Sequence, residues 1–321
     1  MTDFIEENNK ILAPGAGPLI AILMGTMNGA RFLPEQLDSL AAQTHQNWVL
    51  IASDDCSTDD TLLILKAYQA KWPAGKVIIK EGPKQGFCAN FLSMACDPGI
   101  KADYYAFCDQ DDVWLPGKLA AAIAKLQVEP TNLSKLYCGR SIYTDAEGIP
   151  TGYSVLFVHL MTFRNALVQS VAGANTMVFN SAAKILLEQA SPCFPASHDW
   201  WSYLLITGVG GEIIYDPTPW VHYRQHADSI VGENRSISAK TSRINMIING
   251  RFRAMVDLNV RSLKLHVGLL RLENKKLLIV FCKMRTQGFK DRLRLFEVCG
   301  LYRQSWQGTI SLFIAALFKR I

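Results

Sequence analysis

Asp109, Asp111 and Asp112 stand together around Gln110, directly after the apolar run Tyr104-Tyr105-Ala106-Phe107. A strand that ends in carboxylates sets hard oxygen ligands at a sheet edge. Such ligands suit Mg²⁺ or Mn²⁺, ions that commonly arrive with a phosphate-bearing substrate. The plainer reading is an acidic turn that caps the helix expected over residues 114–125, because Asp favours turns and helix starts. A second cluster tips the balance. Asp54-Asp55-Cys56-Ser57-Thr58-Asp59-Asp60 follows another apolar run, Trp48-Val49-Leu50-Ile51-Ala52.

The elements that must carry these clusters are legible in the pattern. Leu19 to Met24 reads as a buried strand running into the small polar turn Gly25-Thr26-Met27-Asn28-Gly29. Phe32 to Leu40 reads as a helix with Pro34 near its start. Leu62 to Tyr68 reads as a helix capped by Ser57, Thr58 or Asp59. The order is strand, loop, helix, strand, acidic loop, helix. In open α/β sheets ligands bind outside the carboxyl ends of the strands, so the three polar loops are expected to meet at one crevice.

The chain's 321 residues, 49% hydrophobic, suffice for one large domain with an appendage. The eight cysteines make no Cys-x-x-Cys pair or zinc spacing, and no secretory signal is seen, which predicts reduced thiols and a cytoplasmic location. Of the 33 Lys and Arg and 28 Asp and Glu, residues 235–321 hold 18 and 4, leaving 15 and 24 elsewhere. A basic tail with apolar clusters, none near the roughly 18 unbroken apolar residues of a spanning helix, fits attachment in the interface of an anionic membrane surface. The tail would then sit peripherally at the inner face of the cell membrane. The alternative is a helical subdomain that packs on the rest and shows a solvated basic face. The tail lacks interleaved aromatics and any recognition-helix signature, so no nucleic-acid partner is expected.

Several ordered segments carry a family resemblance. They are Thr26-Met27-Asn28-Gly29, Gln36-Leu37-Asp38-Ser39-Leu40 with Gln43-Thr44, Ser53 to Asp59, and Gln85-Gly86-Phe87 with Asn90-Phe91. Asp109 to Trp114, Ser197-His198-Asp199-Trp200-Trp201 and Tyr223-Arg224-Gln225-His226 complete the set. Over about residues 18–232 the chain resembles the family 2 glycosyltransferases, inverting nucleotide-sugar enzymes of the GT-A fold. The Asp-Gln-Asp-Asp-Val-Trp form is similar to rhamnosyltransferase-type members. The resemblance implies an α/β fold: a Rossmann-like nucleotide-binding sheet flanked by helices, with a mainly helical basic C-terminal extension. The expected divisions are a flexible N-terminal arm over 1–17, a catalytic domain over 18–232, and the basic region over 233–321, with the change of composition at 228–241.

The resemblance also implies roles. Asp54 bonds the base or ribose of the donor, with Thr26 and Asn28 lining that pocket. Asp55 is left open and Asp59 is read as local capping. Asp109 faces the ribose or reaches the metal through water, and Asp111 binds Mg²⁺ or Mn²⁺ directly. Asp112 caps the following helix or touches the sugar. Gly86 and Asn90 lie near the nucleotide and Lys84 near the diphosphate. Asp199 takes the acceptor proton, with the residue's other reading a helix cap. Trp200 and Trp201 supply an apolar wall for a sugar ring, one of the two being read as core, and Gly173, on a strand over 173–180, lets the acceptor approach closely. His226, more than His222, completes the metal shell, and Arg224 contacts the diphosphate. The implied reaction moves a sugar, rhamnose by the subgroup, from a dTDP- or UDP-sugar to a saccharide or lipid-linked saccharide acceptor in bacterial surface polysaccharide synthesis. Nucleotidyl transfer is the competing enzyme class, although Gly25 to Arg31 is a poor version of its Gly-rich loop. Nucleic-acid binding through the tail is the competing non-enzyme class.

Overall fold

The computed structural model describes residues 17–128, 130, 132–171, 173–226, 246–247 and 249–321. The expected arm and the link at 228–241, with its boundary at 232, lie outside the described residues apart from Gly17. The chain forms two compact units.

The first unit holds residues 17–154, 173–191 and 214–226 of the described chain. Its strands are β1 (Ile20–Thr26), β2 (Trp48–Asp54), β3 (Val77–Glu81), β4 (Tyr104–Cys108), β5 (Val113–Trp114), β6 (Lys135–Gly139), β7 (Ile142–Thr144), β8 (Pro150–Tyr153), β9 (Val178–Asn180), β10 (Glu212–Asp216, of which residues 214–216 belong to this unit) and β11 (Val221–Arg224). Seven of them form a sheet in the order β10-β6-β9-β4-β1-β2-β3, and β5-β11-β7-β8 form a smaller sheet. β1 pairs parallel with β2 on one side and β4 on the other, and β2 pairs parallel with β3. The chain therefore winds outward from β1 through β3 and returns to β1's other edge at β4. That reversal is a topological switch point, where a crevice opens beyond the strand ends. Register aligns those ends: Thr26 pairs with Asp54, and Met24 with Cys108.

β1 has no solvent-exposed face: Ile20 through Met24 are wholly buried, as befits the centre of a sheet covered on both sides. The helices of this unit are α1 (Leu33–Ala41), α2 (Thr61–Lys71), α3 (Phe87–Ala95), α4 (Lys118–Leu126) and α5 (Ser181–Gln189). α1 starts with Pro34 in its first turn and buries Leu33, Leu37 and Leu40 at helical spacing. Its buried face also carries Gln36 and Ser39, and Gln43 is buried just past its C-terminal end, all three polar. They have partners. Gln43 Nε2 donates to Leu115 O at 2.9 Å, Trp114 N–H donates to Ser39 Oγ at 3.1 Å, and Gln36 Nε2 donates to Cys108 Sγ at 2.9 Å. α1 thereby props the segment that follows the 109–112 carboxylates.

Three local expectations change. The helix expected over 114–125 begins at Lys118, because Val113 and Trp114 pair antiparallel with β11 and Pro116-Gly117 make the turn. The N-cap of α2 is Asp60; Asp59 lies one residue earlier and still accepts from Thr61 N–H at 3.0 Å. Only Val178–Asn180 of the 173–180 segment is strand, since Ala174–Thr176 forms a 3₁₀ turn.

The second unit gathers residues 155–171, 192–213 and the described part of 231–321. Its helices are a short one, Phe163–Ala166, then α6 (His198–Gly208), α7 (Arg251–Leu265), α8 (Leu272–Thr286), α9 (Phe289–Cys299) and α10 (Trp306–Leu317). The basic helices do not stand apart from α6. Trp200 stacks on Phe252 of α7, Ala196 N–H donates to Asn259 Oδ1 at 2.9 Å, and Arg271 N–H donates to Gly208 O at 3.1 Å. Among the described residues no helix is long and apolar enough to cross a membrane.

Candidate active site

The loops after β1, β2 and β4 are sewn together by side chains. The Gln110 amide pairs reciprocally with the backbone of Met27, accepting from its N–H and donating to its carbonyl, each at 2.9 Å. Gly29 makes room for that amide, because a Cβ there would overlap the Gln110 side chain. Asn28 adopts a left-handed conformation (φ 49°), which Asn tolerates. Its N–H donates to Ser57 Oγ and its Oδ1 accepts from Thr58 N–H, both at 2.8 Å.

Asp54 lies beneath this junction and is buried. It accepts from Thr26 Oγ1 (2.9 Å), Ser57 N–H (2.8 Å) and Ser57 Oγ (2.6 Å). Its neighbour Asp55, also buried, holds the loop after β3. Asp55 accepts from Lys84 N–H at 2.5 Å and Gly86 N–H at 2.8 Å. Gly86 has φ 86° and open space around its Cα. Lys84 is exposed and pairs with Glu81 at 2.6 Å. Asn90 is buried and braces β2 through Ser53, donating to its carbonyl at 2.8 Å and accepting from its Oγ at 2.6 Å. Thus Thr26, Asn28 and Asp54 meet at one place, while Gly86 and Asn90 flank it from the next loop.

The 109–112 carboxylates divide by burial. Asp109 and Asp111 are half-buried, and Asp112 is fully buried. Asp112 accepts from Asn175 Nδ2 at 2.5 Å and from Arg224 N–H at 3.1 Å. Desolvation, with the charges of Asp111 and Asp109 behind it, pushes its carboxyl well above the usual range. Asp112 caps no helix. It ties the acidic turn to the 173–177 segment and to β11. Lys118 lies on the inner side of the same cluster, with Nζ 3.1 Å from the centre of the Trp114 ring. Burial drives its ammonium down to about 7, against the opposing charges of Cys108, Asp112 and Asp109. Motif reading places Lys118 after the Asp-Gln-Asp-Asp-Val-Trp form, but its burial against the carboxylates comes from the structure alone.

Asp111 Oδ2 lies 2.8 Å from His226 Nε2. The His226 ring in turn rests against Phe32, centroids 4.8 Å apart. Of the two histidines flanking Tyr223-Arg224-Gln225, His226 is the one that meets Asp111. Among the described residues no three His, Cys, Asp or Glu side chains form a complete metal cluster. The pair nevertheless fits a divalent ion. An octahedral ion with bonds of about 2.1 Å has adjacent ligands about 3 Å apart, and such ions keep remaining positions for water and substrate phosphate.

Arg224 departs from expectation. It is buried rather than facing a diphosphate, and its fork braces the acidic turn. Nε donates to Asp111 O (3.0 Å), Nη1 to Ala146 O (2.6 Å) and Nη2 to Glu35 Oε2 (2.5 Å), with the guanidinium over Phe32. Gly173 is exposed, but the space a Cβ would fill is taken by its own neighbour Asn175, with Oδ1 at 2.6 Å.

In the second unit, Ser197 is the N-cap of α6 and Asp199 lies in the first turn, so Asp199 is not the cap. Its carboxylate is half-buried and accepts from Ser170 Oγ at 3.2 Å. His198 is fully buried, and burial lowers its ring to about 4, Asp199 opposing. Trp200 is core rather than an acceptor wall: it is buried, and its Nε1 donates to Ala166 O at 2.7 Å.

The model of the family described as glycosyl transferase family 2 matches residues 21–183, half of the chain. The chain belongs to that family. This glycosyltransferase is 28% identical over 254 residues to the dTDP-rhamnosyl transferase RfbG of Shigella flexneri, covering 73% of this chain and 82% of the relative. Two solved structures share the fold. The mannosyltransferase PcManGT from Pyrobaculum calidifontis, in complex with GDP-Man and Mn²⁺, matches with a TM-score of 0.50 at 14% identity, covering 99% of this chain and 93% of that one. TarS of S. aureus in complex with UDP matches with a TM-score of 0.50 at 16% identity, over 94% and 79%.

Proposed function

We propose that this glycosyltransferase moves rhamnose from a dTDP-sugar, or a related sugar from a UDP-sugar, to a hydroxyl of a saccharide or lipid-linked saccharide acceptor, with inversion. The setting would be synthesis of a bacterial surface polysaccharide. The observation that carries the reading is the Asp111–His226 pair, 2.8 Å apart, in which Asp111 comes from the loop after β4 at the sheet's switch point and His226 from the segment after β11. The dTDP-rhamnosyl transferase named among the relatives supports the choice of donor.

Asp111 and His226 would hold Mg²⁺ or Mn²⁺, and Asp109 would face the donor's ribose. Such an ion, when bound, stabilises negative charge gathering on a departing diphosphate. Thr26, Asn28 and Asp54 would shape the nucleoside pocket, Asp54 by holding Ser57 and Thr26 in place. Gly86 would leave its loop open beside the nucleotide. Inversion needs one displacement. The acceptor oxygen bonds to the anomeric carbon as that carbon's bond to the diphosphate oxygen breaks. The bonding pair leaves with the nucleoside diphosphate, and the hydroxyl proton passes to Asp199.

The test is a donor panel. Purified protein with Mn²⁺ and each nucleotide-sugar is read by thermal shift and by release of nucleoside diphosphate. A stability rise and slow diphosphate release with one donor are expected, because binding to the native state alone raises stability. Pyrophosphate release from a sugar 1-phosphate and a nucleoside triphosphate, with no response to any nucleotide-sugar, would overturn the reading in favour of nucleotidyl transfer.

A further inference from the structure

α10 is turned the wrong way for a helix in water. Its small side faces inward, with Ala315 and Ala316 buried beside Leu312. Its bulky side faces out. Trp306, Ile310, Ile314 and Phe318 recur every four residues and are 68%, 49%, 49% and 71% exposed. Side chains four apart lie on one helix face, so these four make a continuous apolar stripe. From Gln304 to Phe318 the chain has no charged residue, and Arg303 stands before that run and Lys319-Arg320 after it.

A second segment extends the stripe. The Gln304 amide pairs with the backbone of His159, accepting from N–H and donating to O, each at 3.0 Å, and the Tyr302 hydroxyl donates to Leu160 O at 2.6 Å. This fastens an extended segment beside the start of α10, where Val158 and Leu160 are 73% and 81% exposed. Between them lies a cleft of about 720 Å³ lined by Leu160, Tyr302, Trp306 and Ile310, with Arg164 and Arg303 among its walls.

We infer that the α10 stripe, with Val158 and Leu160, is a membrane-contacting face that lies in the headgroup region of an anionic lipid bilayer. Three observations select that partner. The face is apolar and contiguous, of the kind that marks an interaction site. Its flanks are basic, and residues 235–321 as a whole hold 18 Lys and Arg against 4 Asp and Glu, which complements negative lipid. The 12-residue α10 is about 18 Å long, too short to cross a hydrocarbon core of about 30 Å, so it can only lie along the surface. The cleft offers room for one acyl chain beside two guanidinium groups. The inference stands on this unit alone and does not depend on which reaction the other residues perform.

The test uses the full chain in co-sedimentation with vesicles of phosphatidylcholine, with and without one third phosphatidylglycerol. Wild type is expected to bind the anionic vesicles, and the double variant Trp306→Ser with Ile310→Asn to bind roughly a hundredfold more weakly. Ile279→Asn, at another exposed apolar position on α8, is expected to bind as wild type does. Lipids brominated on their chains should quench tryptophan fluorescence in wild type and not in Trp306→Phe. Circular dichroism checks that each variant is folded. Unchanged binding by the folded double variant, unchanged quenching in Trp306→Phe, or a homodimer that the double variant dissolves would each overturn the inference. Salt-sensitive binding to DNA without binding to vesicles would do the same.

Discussion

Arg224 offers the sharpest separation between a residue that holds the site and one that touches the substrate. Its motif position points to a diphosphate ligand, whereas its burial and three protein acceptors make it a brace for the acidic turn. Consider Arg224→Lys. The charge survives, but a single ammonium cannot reach Asp111 O, Ala146 O and Glu35 from one position. Two of the three bonds are lost. The Glu35 carboxylate is 60% exposed, so losing that pair costs little, about 0.5 kcal/mol. Leaving a shielded backbone carbonyl unpaired costs about 1–3 kcal/mol. The sum is about 1.5–3.5 kcal/mol, which in a domain of this size lowers the melting temperature by roughly 3–14 °C. The assay pairs calorimetry on the ligand-free protein with donor kinetics. The brace predicts a lower melting temperature without ligand and a fall in kcat as Asp111 loses its backbone support, with a small change in KM for the donor. An unshifted melting temperature together with a donor KM raised about tenfold or more would refute the reasoning, because uniform binding would then be what the guanidinium supplied.

Four further outcomes follow from the same geometry. Asp111→Asn and His226→Ala should each remove most of the thermal stabilisation produced by Mn²⁺ with nucleoside diphosphate, an effect of about 2.7 kcal/mol at a hundredfold excess over Kd in the wild type; titration by thermal shift measures it. Asp199→Asn should lower kcat about 10²–10⁴-fold while leaving donor affinity near wild type, as measured by single-turnover kinetics and calorimetric titration. Gly29→Ala should push the Gln110 amide off Met27 and cost about 1–2 kcal/mol for the two lost bonds, read from urea denaturation. The buried His198 has a folded value near 4, below its ordinary 6.5, so its contribution is complete above about pH 6.5 and is lost as pH falls toward 4. Denaturation midpoints across that window should drop in wild type and drop less in His198→Gln.

Much of the site was legible because period and punctuation are local properties. The apolar runs at 19–24, 48–52 and 104–107 mark strands, and the polar residues after them mark strand ends, whatever the rest of the chain does. The family motif points to Asp111 and to a histidine at 222 or 226, and the structure sets His226 beside Asp111. Burial was harder to read. Gln36 and Ser39 lie on the apolar face of α1 and Gln43 just past its end, and that buried placement of polar residues is the sequence's sign that they bond the residues flanking the acidic turn, Cys108, Trp114 and Leu115. The two-residue strand Val113–Trp114 gave no periodic signal at all, since two residues cannot define a period, and it forms only because β11 comes alongside.

By its sequence alone this protein declared an α/β sheet, carboxylates at strand ends, a family, and a basic tail without a spanning segment. Those features depend on residue type and on spacing within one element, and both are written along the chain. Tertiary structure decided which way the side chains turn. It set Arg224 inward against three carbonyl and carboxylate oxygens, made Trp200 core, buried Asp112 while leaving Asp111 beside His226, and turned the bulky side of α10 to solvent. A residue's direction follows from what packs against its element. That partner comes from a distant part of the chain, so local pattern carries no record of it.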